Sequence, residues 1–227
     1  MATFDELHRK AHNRLNLRKA QRSIGLIARK RDLQEVDFRE FDPGELPDFR
    51  EMGFQYAGRI TTDGWTFGRE EETDEAESHG FPEPGRIDTE SVTRTISTTV
   101  QETFRRVIRE ITKGADYSGI TFSPNGFLVL PEPDFPDHEE WSLITIFRDG
   151  PPARQIVFGR HFGTVKLSSA GDETFGGEGV LQQELTWRVF SDDETGTPFE
   201  EFYGGPGFAD LAADLGYESA SGDSGDE

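Results

Sequence analysis

The chain has 227 residues, a formal net charge of −20 at pH 7 and no cysteine. The lack of cysteine excludes disulfides, thiolate metal sites and a cysteine nucleophile. No apolar run approaches the roughly 18 residues of a membrane span. The N-terminus also lacks the apolar region of a signal peptide. We therefore expect neither membrane insertion nor export by the signal-peptide route.

The charge is distributed unevenly along the chain. Residues 1–31 hold nine Lys and Arg and two acidic residues, a net charge of +7, whereas the remainder has a net charge of −27. Residues 32–227 contain only two lysines, Lys113 and Lys166. Such a surface repels itself in dilute buffer, but in about 1 M salt the Debye length falls to about 3 Å. The composition favours a protein that works in concentrated salt, as in a salt-loving archaeon or its virus, over an ordinary acidic protein.

The N-terminal residues predict a basic amphipathic helix over 3–20, followed by an apolar patch at 23–28. Thr3 and Glu6 match a capping box, and apolar residues recur at spacings of three and four. The stripe is too narrow and too basic for a core helix, which leaves a membrane-surface helix, a nucleic-acid arm or an arm for an acidic partner. Because the rest of the chain is acidic, we predict that residues 1–31 dock onto another copy. The docking residues would be Phe4, Leu7, Ala11, Leu15, Arg14 and Arg18.

Residues 32–53 are rich in acidic residues, proline and glycine, which predicts a linker. From residue 54 the pattern has mostly a period of two, which predicts a β domain over residues 54–205. The candidate strands cover residues 55–61, 64–72, 88–101, 126–130, 142–148, 154–162, 163–169 and 180–191.

One helix is predicted within this domain, over residues 101–112, with Phe104 on its apolar face and Gly114 at its C-cap. Residues 206–227 predict a short amphipathic helix and an acidic disordered tail. Many short strands with one helix indicate a mainly β fold, a sandwich or barrel with a flanking helix and a long hairpin.

The sequence carries no pattern typical of an enzyme or a metal site. No Ser/His/Asp arrangement, P-loop or dinucleotide fingerprint occurs. His8 and His12 lie four residues apart, but they have basic neighbours and no third ligand nearby. With 44 acidic residues, carboxylate pairs arise by chance and do not indicate a glycosidase. We expect no catalytic residues, no metal and no cofactor.

The predicted hairpin over residues 63–101 is the most informative stretch. In its second strand apolar and hydroxyl residues alternate, so one face packs and the other carries a row of hydroxyls. In its first strand Trp65 and Phe67 share a face, and Glu70 and Glu72 lie opposite. By itself, this pattern is also typical of the solvated face of an ordinary sheet.

The order of features resembles the major tail tube proteins of long-tailed, siphovirus-like viruses. The resemblance runs from "YAGRITTDGWTFG" through the acidic loop, the Thr-rich strand "SVTRTISTTVQET" and the helix, to "RQIVFGR" and a strand ending in an Asp pair. It covers roughly residues 56–195, and the long basic arm departs from the family pattern. It implies a β-sandwich whose copies form hexameric rings with a shared inner barrel, stacked into a tube for DNA. The saline composition suggests a haloarchaeal host.

The resemblance also implies partners, location and site residues. The partners would be further copies, tape-measure, tail terminator and baseplate proteins, and viral DNA in transit without sequence-specific binding. The protein would be made in the host cytoplasm at high salt and would lie in the virion tail. Asp74, Glu75 and Glu77 would form an inter-ring contact loop, and the channel would have no basic lining. Channel-lining residues would be Glu70, Glu72, Thr93, Thr95, Ser97 and Thr99.

Three alternatives make different predictions. A tail terminator or connector of similar fold would form a single ring. An acidic glycan-binding module would expose Trp65, Trp141 and Trp187 as an aromatic platform. A halophilic enzyme would hold paired carboxylates in a closed pocket.

Overall fold

The computed structural model describes residues 2–33, 36–42 and 45–218. Its strands form one antiparallel sheet in the order β2-β1-β5-β6-β7-β4-β3, with β8 pairing beside β6. This architecture confirms the predicted mainly β class. The strands are β1 (Arg22–Arg29), β2 (Gln55–Tyr56), β3 (Ile60–Ala76), β4 (Arg86–Val100), β5 (Trp141–Asp149), β6 (Ile156–Ala170), β7 (Gln183–Phe190) and β8 (Glu200–Gly204). The helices are α1 (Phe4–Ala11), α2 (Arg106–Lys113) and α3 (Pro206–Ala209).

The sheet folds over itself, so that β3 crosses the strands at the other end of the strand order. Trp65 of β3 lies against Gly25 of β1, where a Cβ atom would clash with the indole ring. Phe67 of β3 stacks on Phe162 of β6, with ring centroids 5.7 Å apart. The fold-over encloses the main hydrophobic core, which also contains three buried aliphatic residues of α2.

A second hydrophobic cluster lies on the other face of β1, β5 and β6. The segment that we predicted as a linker, 32–53, covers this face instead of extending away from it. Its Val36 and Phe49 are buried, and Phe38 stacks on Phe202 of β8 at 3.8 Å between ring centroids. The aromatic residues of this segment, which lie among prolines and acidic residues, therefore cover this face of the sheet.

Strand β1 corrects the predicted arm. Leu26, Ile27 and Ala28 of β1 are buried, and the strand pairs with both β2 and β5. The arm predicted over 1–31 is therefore limited to the residues that precede β1. Its last basic residues are neutralised within the chain: the Arg29 guanidinium lies 2.6 Å from Asp116, and Lys30 Nζ lies 2.5 Å from Asp192.

Several predicted element bounds also differ from the structure. The helix predicted over 3–20 ends at Ala11, and residues 126–130 lie in an irregular loop, not a strand. The strands predicted at 154–162 and 163–169 are one continuous strand, β6. Strand β8 was missed, because it is short and mostly exposed.

The flanking helix is shorter than predicted, since α2 begins at Arg106. Its apolar face excludes Phe104, which is 73% exposed. The predicted C-cap is confirmed, since Gly114 adopts a left-handed conformation with φ of 56°. The predicted acidic tail lies mostly outside the described residues. Among the residues that the structure describes, none of the helices has the length and apolar character of a membrane span.

Candidate assembly surface

The hairpin of β3 and β4 brings the predicted channel residues onto one face. The strand register sets Glu70 opposite Thr93 and Glu72 opposite Ser91. The Ser91 hydroxyl donates to the Glu72 carboxylate over 2.9 Å, which confirms that the two side chains share a face. The predicted channel residues are half-buried or exposed, and none is packed into the core.

This face continues across β7, so that it is wider than the hairpin. In the β4–β7 register, Thr95 lies opposite Arg188, Ser97 opposite Thr186 and Thr99 opposite Glu184. The intervening residues of both strands, among them Ile96, Leu185 and Trp187, are buried. We call the outward side of β3, β4, β7 and the C-terminal half of β6 the polar face. Its residues are Thr66, Glu70, Glu72, Ser91, Thr93, Thr95, Ser97, Thr99, Lys166, Glu184, Thr186 and Arg188.

The polar face carries two basic residues, which corrects the expectation of a surface without them. Arg188 lies opposite Lys166 of β6 in the strand register. Lys166 Nζ lies 3.1 Å from a carboxylate oxygen of Glu140, and the Arg188 guanidinium lies over the ring of Phe190 at 5.9 Å. These two positions were not predicted, because the prediction used residue alternation only in the hairpin. The same alternation occurs in β7, where buried and non-buried residues strictly alternate.

The hairpin extends well past the rest of the sheet. Pairing of β4 with β7 stops at Arg94, whereas pairing of β3 with β4 continues to Ala76 and Arg86. Residues 70–90 contain nine acidic residues and one arginine, a net charge of −8, and nearly all are exposed. We call residues 70–90 the acidic ribbon. An isolated two-stranded ribbon is only marginally stable in water, so this extension is suited to a contact with a partner.

The predicted inter-ring residues lie in this ribbon. Asp74 and Glu75 belong to β3, opposite Asp88 and Ile87, and Glu77 lies in the turn just beyond the strand. All three side chains are exposed. The ribbon is therefore paired up to Ala76 within one copy.

Strand β3 is also an open edge of the sheet. Among the described residues its ladder partner is β4, and its other side faces no strand along 17 residues. A long open edge is a template for pairing with another chain unless it is blocked. The part of the sheet formed by β3, β4, β7 and the C-terminal half of β6 has a second open edge. It lies at the end of β6, where the β5 partners stop at Val165.

The predicted docking arm is separate from the core but anchored at its end. The apolar residues Phe4, Leu7 and Leu15 are exposed. Leu15 lies in a separate turn, Arg14–Asn16, so the predicted stripe is interrupted after Ala11. Arg18 does not project freely, because its guanidinium lies 3.5 Å from Asp149 of the same chain.

The tryptophans do not form the platform expected of a glycan-binding module. Trp187 and Trp141 are 1% and 3% exposed. Trp65 is half-buried and stacks on Trp187, with ring centroids 6.1 Å apart. The tryptophans therefore serve the core, which removes the feature that suggested glycan binding.

Carboxylates do line one small cavity of about 60 Å³, together with Lys30 and His161. The Asp192 carboxylate in it accepts from Lys30, from the Thr164 hydroxyl at 2.9 Å and from the Glu194 amide at 2.9 Å. Burial raises the pKa of Asp192, but these hydrogen bonds outweigh burial and lower the pKa to about 2. The cluster ties the end of β1 to the turn after β7, and its hydrogen bonds account for Asp192 in structural terms.

No family model and no curated protein matches this chain. Two solved structures that it resembles are the tail of an empty gene transfer agent particle, refined with helical and C6 symmetry, and the virion of a native gene transfer agent particle. Each is 13% identical and covers 71% of this chain and 93% of the other chain, with TM-scores of 0.33 and 0.31. Scores this low do not establish a common fold or function.

Proposed function

We propose that this chain is a structural virion protein, a major tail tube subunit that stacks as hexameric rings into a tube for viral DNA. The observation that carries the proposal is the four-strand unit of β3, β4, β7 and β6. One side of this unit packs into the core, the other is the polar face, and both of its edges are open. A sheet of this kind removes its open edges when identical copies close into a barrel.

The dimensions of such a barrel suit duplex DNA. Four strands from each of six copies, spaced about 4.8 Å apart, give a circumference of roughly 115 Å and a backbone diameter of about 37 Å. Inward side chains of about 6 Å leave a bore on the order of 25 Å, wide enough for a duplex about 20 Å across. The polar face would line this bore.

The charges of the polar face fit a conduit better than a binding site. Basic residues bind the phosphate backbone of DNA, which carries one negative charge per about 1.7 Å of axis. On the polar face, Glu70, Glu72 and Glu184 outnumber Arg188 and Lys166, and Lys166 is paired with Glu140. Hydroxyls occupy most remaining positions and offer no charge to hold the backbone. DNA would pass without sequence-specific binding.

The acidic ribbon and the arm supply candidate contacts between copies. The ribbon, with Asp74, Glu75 and Glu77, would reach the neighbouring ring. The arm, with exposed Phe4 and Leu7, would dock on the acidic surface of another copy. Complementary charge would set the register of these contacts more than their affinity. In the virion, tape-measure, terminator and baseplate proteins would bind the same tube.

Electron microscopy of the purified protein in about 1 M NaCl tests this proposal, because screening is then nearly complete. We expect stacked rings with an open bore. Single rings that do not stack would instead indicate a terminator or connector. Particles without a bore would refute the tube assignment.

A charge reversal tests the lining. Glu70→Lys adds a positive charge to each copy on the polar face, so assembled tubes should retain DNA fragments that wild-type tubes release. Glu71→Lys is the matched control, because Glu71 points to the opposite side and pairs with Arg69. The measurement is DNA co-sedimenting with tubes. Equal retention by both variants would contradict the assignment of the polar face to the bore.

A further inference from the structure

A long loop between α2 and β5 is conspicuous for its lack of charge. Residues 117–131 contain no charged side chain, although 24 basic and 44 acidic residues occur among the 227 of the chain. Several large apolar side chains of this stretch point into solvent. Phe122, Phe127 and Val129 are 74%, 74% and 75% exposed, and Leu128 is 53% exposed. An exposed apolar cluster of this kind marks an interaction site.

The loop holds these side chains in a defined arrangement. Its tip is a turn in which the Gly126 amide donates to the Ser123 carbonyl over 2.8 Å, and the Ser123 amide donates to the Phe127 carbonyl over 2.7 Å. At its base the Tyr117 hydroxyl donates to the Pro131 carbonyl over 2.8 Å. A preformed apolar tip loses less conformational entropy on binding than a floppy one does.

A cavity of matching chemistry lies at the other end of α2. Its volume is about 490 Å³, within the roughly 300–1,000 Å³ range of ligand pockets. Phe104, Val180 and Leu181 line it, and Phe104 and Val180 are mostly exposed. The loop follows the C-terminal end of α2, whereas the cavity adjoins the N-terminal end. The helix between them has eight residues and is therefore about 12 Å long. One copy presents both sites.

The charges around the two sites are complementary. Arg105 lines the cavity but pairs with Glu102 of the same lining at 2.6 Å, so these two charges offset each other. Positive charge beside the cavity comes from Arg106 and from Arg59, whose amide donates to Glu102. At the base of the loop lie Asp134 and Glu132, and the Glu132 carboxylate pairs with Lys113 at 2.9 Å, which leaves Asp134 as the negative charge there. Two copies at a net charge of −20 repel each other, so they approach best through an uncharged tip entering a cavity with basic neighbours. This complementarity points to a second copy of the chain as the occupant.

We propose that the loop tip, residues 127–129, inserts into the Phe104–Val180 cavity of an adjacent copy. The contact is heterologous, because different surfaces of the two copies meet, and repeated contacts of this type generate rings or filaments. The inference rests on the proposed self-assembly for its occupant, but it assigns that assembly a specific contact outside the polar face, the acidic ribbon and the arm.

Because the chain contains no cysteine, engineered thiols report this contact without background. Leu128→Cys and Val180→Cys are placed in separate chains, mixed in molar salt and oxidised. We expect mixed dimers, and the double variant should give a ladder of multimers on a non-reducing gel. Ser191→Cys replaces Val180→Cys as an exposed control position, and this pair should give several-fold less product.

The outcomes separate this contact from the tube proposal. Ladders without a bored tube in electron micrographs support the contact and refute the tube. Tubes without ladders support the tube and refute the contact. Leu128→Cys chains that dimerise with each other faster than with Val180→Cys chains also overturn it, since they indicate a symmetric contact.

Two substitutions that introduce a negative charge, one in the loop tip and one outside it, give a second test. Phe127→Asp should raise the protein concentration needed for assembly about tenfold, as expected for the loss of a buried apolar anchor. Phe135→Asp is the matched control, because Phe135 is 91% exposed but lies outside the tip. Urea denaturation of the unassembled protein shows whether either variant is less stable. Equal assembly of Phe127→Asp and wild type refutes the proposal.

Discussion

His161 is a buried histidine that the fold keeps neutral. Its ring nitrogen Nε2 lies 3.1 Å from the Ser142 hydroxyl. Burial lowers the pKa of His161 from 6.5 to about 4; nearby Asp192 opposes this shift and Lys30 reinforces it. In the unfolded chain the imidazole takes up a proton near pH 6.5, whereas the folded protein resists protonation down to about pH 4. Stability must therefore fall as the pH drops through this window.

Replacing His161 with glutamine should remove this loss. Each pKa unit corresponds to about 1.4 kcal/mol, so wild type should lose up to ~3 kcal/mol of unfolding free energy between pH 7 and pH 4.5. We expect His161→Gln to lose much less, as measured by urea denaturation in molar NaCl. His79→Gln, in the exposed hairpin turn, should behave as wild type. Asp192 titrates at lower pH and does not interfere, because its pKa falls from 3.8 to about 2. The same loss in His161→Gln would contradict this account.

Gly25 is the residue at which β3 comes closest to β1. Because an added Cβ would clash with the Trp65 ring, Gly25→Ala should destabilise the fold by about 1–3 kcal/mol, as overpacking does in dense cores. Gly119→Ala is the control, since Gly119 has open space around its Cα. Chemical denaturation of both variants measures the difference. An unchanged Gly25→Ala midpoint would mean that β3 does not fold over β1 as described.

At the scale of elements, β1 and the arm before it have different roles. Strand β1 joins β2 to β5 and places Leu26, Ile27 and Ala28 in the core. The arm contributes exposed apolar residues and, near its end, the ion pair of Arg18 with Asp149. The dividing line between core and docking segment therefore lies close to residue 18, not at residue 31.

Two nested deletions should separate these roles. Deletion of residues 2–17 leaves β1 and the Arg18 ion pair intact, so the protein should unfold cooperatively with near-wild-type stability but assemble poorly. Deletion of residues 2–31 removes a sheet strand with five buried residues, a loss comparable to the roughly 5–15 kcal/mol stability of a domain. Circular dichroism and urea titration should find this longer deletion unfolded. A folded product of the longer deletion would show that β1 is dispensable.

At the scale of the whole molecule, charge sets the conditions of assembly. Every copy brings a net charge of −20, and the acidic ribbon concentrates eight net negative charges in one projection. At about 0.1 M salt the Debye length is about 10 Å, so charges on neighbouring copies repel, whereas about 1 M salt confines the repulsion to about 3 Å. The proposed tube should therefore loosen as the salt concentration falls.

Neutralising the acidic ribbon should lower this salt requirement. A variant with Glu72, Glu75, Glu77 and Glu83 changed to glutamine should assemble at a several-fold lower NaCl concentration than wild type, as followed by light scattering. The control variant changes four exposed glutamates outside the ribbon, Glu45, Glu51, Glu178 and Glu218. It has the same net charge, so an equal shift in both variants would assign the effect to total charge instead of the ribbon.

Local pattern alone determined much of the β domain. Alternation of apolar and hydroxyl residues predicts the two faces of β4, since successive side chains of a strand point to opposite sides. Gly114 predicts the end of α2, because a left-handed C-cap favours glycine. The charged β3–β4 hairpin is also predictable from the sequence, because its two strands follow each other in the chain.

Only the tertiary structure decided where the remaining segments go. The apolar run of β1 has no alternation, because both of its faces are covered, so the sequence does not distinguish it from part of an amphipathic arm. Phe104 matches the helical period yet is exposed, because α2 begins after it. The neighbours of Thr95 on β7 depend on sheet register, which joins residues nearly a hundred positions apart. Whether such a segment is buried depends on residues that are distant in the sequence. Local periodicity carries no information about those distant residues.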